Sequence, residues 1–281
     1  MRPFLSICIP TFQRKESLKK LLGHLVRAIE KYRLRDEVEV VISDNASSDR
    51  TYEMLMVYAK DKNFLKIRRN HKNLGCDKNI INVLTEARGE YCWLINDHAP
   101  IVFHNFSYFI DFLKEQQDFI CGLIIPAEKQ LKLGKRFVKE RYMNDEFIEE
   151  YINYVKNSNE SDISLLGYIN CFIFKRSLIK KIKKRLIKEK NYYYWAHLTI
   201  FLYLISRFKG SIIVYKEPWI IDDKQKKLYT ELNYKVFLPH EIIKTFYYNR
   251  KKAISVFPIS QKLKKALIKK LDEQLYWSYI K

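Results

Sequence analysis

The sequence predicts an α/β fold, a mostly parallel twisted sheet flanked by helices. Three observations predict it. Short apolar runs alternate with longer stretches whose apolar residues recur at helical spacing. The runs are closed by turn-forming residues, as buried strands are. The early runs mostly end in polar side chains, and right-handed crossovers would gather those ends along one edge of the sheet.

Phe4 to Ile9 is the first run and stops at Pro10-Thr11. Glu16 to Tyr32 follows, with Leu18, Leu21, Leu22, Leu25, Val26 and Ile29 at helical spacing. Val38 to Ile42 is the second strand and ends in Ser43-Asp44-Asn45. Ser48-Asp49 then caps a helix carrying Tyr52, Leu55, Met56 and Ala59. Phe64 to Ile67 gives a third strand and Asn70 to Gly75 a polar turn. Asn79 to Ala87 gives a helix stopped by Arg88-Gly89. Tyr91 to Ile95 is the next buried strand.

That strand breaks off at Asn96-Asp97-His98, placing a carboxylate and an imidazole where a buried strand meets solvent. Ligands of open α/β sheets bind at the carboxyl ends of the strands. Asp97 and His98 there either hold a hard divalent cation with its phosphate ligands or form a strand-ending turn. Together with Thr11 and Asp44 at two other strand ends, they outline a nucleotide site. Neither GxGxxG nor GxxxxGK[ST] occurs, so a dinucleotide fold and a P-loop are not indicated.

With 281 residues the chain can form one large domain with an appendage, or two small ones. Lys and Arg number 52 against 32 Asp and Glu, a net charge of +20 that favours polyanions. No RNP, zinc or helix-turn-helix signature accompanies that charge, so nucleic acid is not an expected partner. The five cysteines are scattered without CxxC spacing and read as free thiols in a reducing cytoplasm. No signal peptide precedes the first strand, and no run reaches the roughly 18 apolar residues of a spanning helix.

The first hundred residues resemble the nucleotide-binding half of the family-2 inverting glycosyltransferases, of the GT-A fold. The resemblance rests on SICIPTFQR at 6–14, VISDNASSDRT at 41–51, Asn73-Leu74-Gly75 with Asn79, ARGEY at 87–91 and WLIND at 93–97. It is nearest to the subgroup that includes abequosyltransferase-like enzymes of surface-polysaccharide synthesis. The resemblance implies that Pro10, Thr11 and Phe12 line a nucleoside pocket and that Arg14 belongs to the donor site. Asp44 would accept a hydrogen bond from base or ribose, or else cap its own turn. Asn73 and Gly75 would shape the loop beneath the donor. Arg88 would meet a phosphate, or sit solvated at a helix end. Asp97 matches the first Asp of the family's DxD motif. Ala99 stands where the second Asp, a metal ligand, is expected. His98 is the substitute ligand, which suits manganese better than magnesium; otherwise Lys or Arg neutralises the diphosphate.

Beyond residue 100 the resemblance thins. Phe103 to Phe119 reads as an aromatic helix and Ile120 to Ile125 as a strand. Glu128 to Asn159 reads as a polar, tyrosine-rich lid or binding loop outside the core. GYINCFIFKR at 167–176 matches a family strand, followed by a basic helix from Leu178 to Lys190. Family members carry a Glu-Asp pair near 196–197, where this chain has Ala196-His197. His197 is therefore a candidate base for the acceptor hydroxyl, or a packed histidine, with Asp162 and Glu160 in reserve. The cluster 192–195, rich in Tyr and Trp, would stack on sugar rings or join the core. Ser211 to Tyr215 is a last strand. From Asp222 the chain turns rich in Lys and Tyr. Leu263, Leu267, Leu271 and Leu275 form one stripe of a basic helix, fit for a membrane interface or for packing on the domain.

The expected organisation is a nucleotide-sugar-binding half over 1–100, an acceptor-binding half over 101–221 and a basic helical appendage over 222–281. The expected function is an inverting glycosyltransferase of cytoplasmic location, peripheral on the inner face of the membrane. It would use a nucleotide-sugar donor, a glycan or lipid-linked glycan acceptor and a divalent cation, Mn or Mg. Ala99 and the missing Glu-Asp pair leave a non-catalytic binding module of the same fold as the rival.

Overall fold

The computed structural model describes residues 2–99, 101, 103–124, 139–157, 169–188, 196–216, 251, 255, 261–262 and 264–269. The first part alternates as the sequence predicts: β1 (Leu5–Thr11), α1 (Lys15–Lys31), β2 (Val38–Asp44), α2 (Thr51–Ala59), β3 (Leu65–Arg69), α3 (Cys76–Glu86) and β4 (Tyr91–Leu94). There follow α4 (Phe106–Gln116), β5 (Phe119–Ile124), β6 (Arg141–Met143), α5 (Asn144–Asn157) and a short 3-10 turn (Ile169–Cys171). β7 (Phe172–Lys175), α6 (Arg176–Lys188), α7 (Ala196–Arg207) and β8 (Ser211–Tyr215) complete the described elements.

The strands form one eight-stranded sheet in the order β3-β2-β1-β4-β7-β5-β8-β6. β1 pairs in parallel with both β2 and β4, and β2 with β3. β7 runs antiparallel between β4 and β5, and β6 antiparallel beside β8. All strands but β6 and β7 therefore direct their carboxyl ends to the same edge. The β4–β7 pairing carries the sheet from the first hundred residues into the remainder of the chain without a break.

Alternation along each strand feeds two apolar layers, as strand geometry requires. Ile7 and Ile9 join the layer under α1 and α4, whereas Cys8 between them joins the layer under α3, α6 and α7. The predicted face of α1 is the buried one: Leu18, Leu21, Leu22, Leu25, Val26 and Ile29 all lie inside. On the sheet's other face, Leu178, Ile179, Ile182 and Leu186 of α6 are buried at helical spacing, and its lysines point outward. Among the described residues, no helix is long and apolar enough to cross a membrane.

One expectation needs correction. The stretch read as a loop outside the core contains β6 and α5, and Tyr142, Phe147, Tyr151 and Ile152 are buried in the core. Asn144 also donates to the carbonyls of Ile205 and Phe208, each at 2.6 Å, closing the end of α7. In the C-terminal basic stretch, residues 264–269 are helical, and Leu267 is 1% exposed within the same core. Leu267 therefore packs on the domain, the second of the two roles expected for the stripe. Leu263, Leu271 and Leu275 lie outside the described residues.

Candidate functional site

The carboxyl edge of the sheet brings together the ends of β1, β2 and β4. Thr11 and Asp44 are register partners at the ends of β1 and β2. Beyond β4, Asp97 folds back over β1: its Oδ2 accepts a hydrogen bond from Thr11 Oγ1 at 2.7 Å, and His98 Nδ1 lies 2.9 Å from its Oδ1. The Asp97 side chain is 9% exposed and that of His98 36%, so the carboxylate is sheltered and the imidazole faces solvent. Asn170, just before β7, clasps this turn. Its side-chain oxygen accepts from the Asn96 amide at 2.7 Å, and its carbonyl accepts from Trp93 Nε1 at 2.8 Å.

Asp44 is fully buried. Both of its oxygens lie 3.3 Å from the Ser47 amide, closing a turn through Ala46 at φ 62°, and Arg69 Nε stands 3.5 Å away. Arg69 also donates to the Ser47 carbonyl at 3.0 Å and lies over the Tyr52 ring. In this state Asp44 caps its own turn, the second of the two roles expected for it, with its charge compensated by Arg69.

Between the strand ends runs a network of amides. Asn45 Nδ2 donates to Asn73 Oδ1 at 2.8 Å and to the Gly75 carbonyl at 3.3 Å, and its Oδ1 accepts from the Leu74 amide at 2.9 Å. Asn70 bridges Asn45 and Asn79 at 2.9 and 3.0 Å, and Asn79 donates to the carbonyls of Ser43 and Thr11. The loop from Asn70 to Gly75 is thus pinned to both β1 and β2. Gly75 takes φ 85°, a left-handed conformation that costs glycine nothing, and so delivers the chain into α3. Pro10 is half-buried and Phe12 is 37% exposed, leaving an apolar ring at the rim. Arg14 is exposed at the start of α1.

Cys76 opens α3 at the surface. Desolvation, followed by the nearby charges of Asp77 and Asp97, pushes its thiol up to about 11, so it stays protonated at neutral pH.

One expected site residue is placed elsewhere, and a second takes the packed role that was its alternative. Arg88 lies at the amino edge of the sheet, where its Nε meets Glu39 Oε2 at 3.2 Å and its amide meets Glu39 Oε1 at 2.6 Å. Glu39 is buried and also receives the Ser6 hydroxyl, so Arg88 closes a structural clasp and does not face Asp97. Arg88→Ala is expected to leave nucleotide affinity unchanged and to cost no more than about 1 kcal/mol of stability, because the side chain is 60% exposed and the amide bond survives. Calorimetry and thermal melting of the variant check both. His197 lies in the first turn of α7, 5% exposed, with its ring 5.6 Å from that of Phe172. These are the surroundings of a packed histidine. The preceding amide, Ala196, donates to Asp77 Oδ1 at 3.0 Å, which ties α7 to the donor loop. Asp162, Glu160 and residues 192–195 lie outside the described residues.

A cation is tested by what Asp97 and His98 offer. Among the described residues, no three His, Cys, Asp or Glu side chains converge. Ala99 is 6% exposed in the apolar layer that also holds Trp93, Ile95 and Ile101, so it contributes no ligand. Asp97 with a solvent-facing imidazole beside it fits a cation that takes its remaining ligands from phosphate and water.

Sequence reasoning missed Asn45, Asn70, Arg69 and Asn170. Asparagines between strands read as turn formers, and only the folded chain shows their side chains joining strand to strand.

The family model described as glycosyl transferase family 2 matches residues 6–183. Abequosyltransferase RfbV of Salmonella typhimurium strain LT2 is 39% identical over 119 residues, covering 42% of this chain and 35% of that protein. The GalNAc(5)-diNAcBac-PP-undecaprenol beta-1,3-glucosyltransferase of Campylobacter jejuni is 25% identical over 222 residues, covering 73% of this chain and 66% of that one. The chain thus spans about a third of the first relative's length and just under two thirds of the second's. Among solved structures, the mannosyltransferase PcManGT of Pyrobaculum calidifontis, in complex with GDP-Man and Mn2+, superposes with a TM-score of 0.56 at 13% identity, covering 98% of this chain and 70% of that one. TarS of S. aureus gives a TM-score of 0.56 at 15% identity, covering 99% and 53%. At such identities the structures establish a shared fold.

Proposed function

The chain belongs to glycosyl transferase family 2, and from that premise we propose that it transfers a sugar, with inversion, from a nucleotide-diphosphate donor to a hydroxyl of a surface-glycan acceptor. The observation that carries this reading is the Thr11–Asp97–His98 cluster beside Asp44 on one sheet edge, within the segment the family model matches. The names of the two relatives support a bacterial surface glycan, and that of the Campylobacter enzyme supports a lipid-linked acceptor. The acceptor would then be met at the inner face of a membrane.

In this reading the nucleoside lies against Pro10 and Phe12. Asp44 meets base or ribose once Arg69 swings aside, and the pinned Asn73–Gly75 loop fixes the donor's distance from α3. Asp97 and His98 would hold a divalent cation, which when bound neutralises the diphosphate leaving group. The acceptor oxygen attacks C1 from the face opposite the diphosphate and loses its proton to a base. Asp162 and His197 are the proposed candidates for that base. A His197→Gln and Asp162→Asn pair separates them, since the base variant loses turnover while donor affinity holds.

The imidazole beside Asp97 sets an expectation for the metal. Manganese should activate better than magnesium, and His98→Ala should weaken manganese activation about tenfold or more while changing nucleotide affinity little. Activity against metal concentration after chelation tests this. Tight magnesium-saturable activity that survives His98→Ala would place the ligands elsewhere. The function itself is tested by calorimetry with candidate nucleotide diphosphates on the unmodified protein, Asp44→Ala and Asp97→Ala. Binding that is lost in both variants supports the reading, and equal affinity in all three rejects it.

A further inference from the structure

On the edge opposite the proposed donor site, where β5 and β8 begin and β7 ends, the surface opens into a cavity of about 370 Å³. Its walls carry Lys175 from the end of β7, Lys181 from α6, and Arg207 and Lys209 from the α7–β8 turn. Asp118 is the one carboxylate in the wall, and it is ion-paired with Lys175. Lys181, Arg207 and Lys209 have no carboxylate partner among the described residues, and the Lys181 ammonium is steered over the Phe208 ring at 6.0 Å. Three positive charges therefore line one cavity without a counter-charge among the described residues. The first turn of α6 also lines the cavity through Ser177 and so adds the positive end of a helix.

Like charges brought together in a concavity repel one another, and an anion that neutralises them binds there. We propose that this cavity is a second anion site, which takes a phosphoryl group on the side of the sheet away from the proposed transfer chemistry. Phosphate or pyrophosphate fits the charge and the several donors of the walls. The group belongs either to the headgroup of an anionic lipid or to a soluble phosphorylated molecule. The remaining lysines of α6 and the exposed Ile187 extend the same basic surface.

The test uses the full chain and inorganic pyrophosphate as probe, titrated by calorimetry with chelator present. A Lys181→Ala/Lys209→Ala double variant should bind it at least tenfold more weakly, whereas Asp97→Ala should retain this binding. Both lysines are exposed, so the double variant should melt with the unmodified protein and keep its nucleotide affinity. A second arm measures co-sedimentation with vesicles of phosphatidylcholine, with and without phosphatidylglycerol. Binding to the anionic vesicles that pyrophosphate displaces identifies a lipid headgroup. Pyrophosphate binding without vesicle binding identifies a soluble phosphorylated ligand. In either case the double variant must lose the interaction. An unchanged affinity for pyrophosphate in the double variant, or none in the unmodified protein, overturns the site.

Discussion

Asp97→Ala should lower donor turnover about a hundred-fold or more, because the proposed cation that neutralises the diphosphate loses its carboxylate ligand. The Asp97 carboxylate touches both β1, through Thr11, and the imidazole of His98. Without it the sheet edge loses its negative charge opposite the proposed cation, and the Thr11 hydroxyl, 2% exposed, loses its acceptor. That second loss alone costs about 1–3 kcal/mol of stability, so alanine conflates folding with chemistry. Asp97→Asn separates them, because the amide oxygen still accepts from Thr11. The asparagine variant should melt within a few degrees of the unmodified protein and still be inactive. Turnover within tenfold of normal would move the donor-binding carboxylate elsewhere.

Ala99→Asp should destabilise the protein and should not repair a metal site. Sequence alone suggests that restoring the missing carboxylate would strengthen magnesium binding. The structure sets Ala99 in the apolar layer with Trp93, Ile95, Ile101 and Phe103, at 6% exposure. A carboxylate there leaves water without a cationic partner among those neighbours and adds to the charge of Asp97. The cost is roughly 3 kcal/mol or more. For a chain of this size that is a fall of about 6 °C or more in melting temperature. Thermal melts with and without magnesium decide it. A variant that melts normally and gains stability on adding magnesium would show that position 99 can face the cation.

The legible part of the molecule was its strand-and-helix alternation and the chemistry at the strand ends. Periodicity gave α1 its buried face, and the abrupt stop after Ile95 marked Asp97 and His98. Less legible was anything that depends on side chains meeting across long separations. Arg88 follows a helix within a donor-binding half, and nothing local shows that its partner is Glu39 at the opposite edge. Asn45 and Asn70 look like turn residues and Asn79 like the start of a helix, and their joint role exists only when three strands are side by side. The stretch holding β6 and α5 was misread because one inward residue of three, Tyr142, marks the strand, and glutamates dilute the stripe of Phe147, Tyr151 and Ile152. His197 kept its position near the donor loop, but the core closed around its ring.

The central claim is that this sheet edge binds and consumes a nucleotide sugar. The most direct measurement is the release of nucleoside diphosphate from a panel of nucleotide-diphosphate sugars, with manganese or magnesium, by the unmodified protein, Asp97→Asn and the Lys181→Ala/Lys209→Ala variant. The account predicts that one class of donor is consumed, that Asp97→Asn abolishes the release, and that the double lysine variant retains it. No donor consumed or bound by the unmodified protein, or equal release by Asp97→Asn, would contradict it.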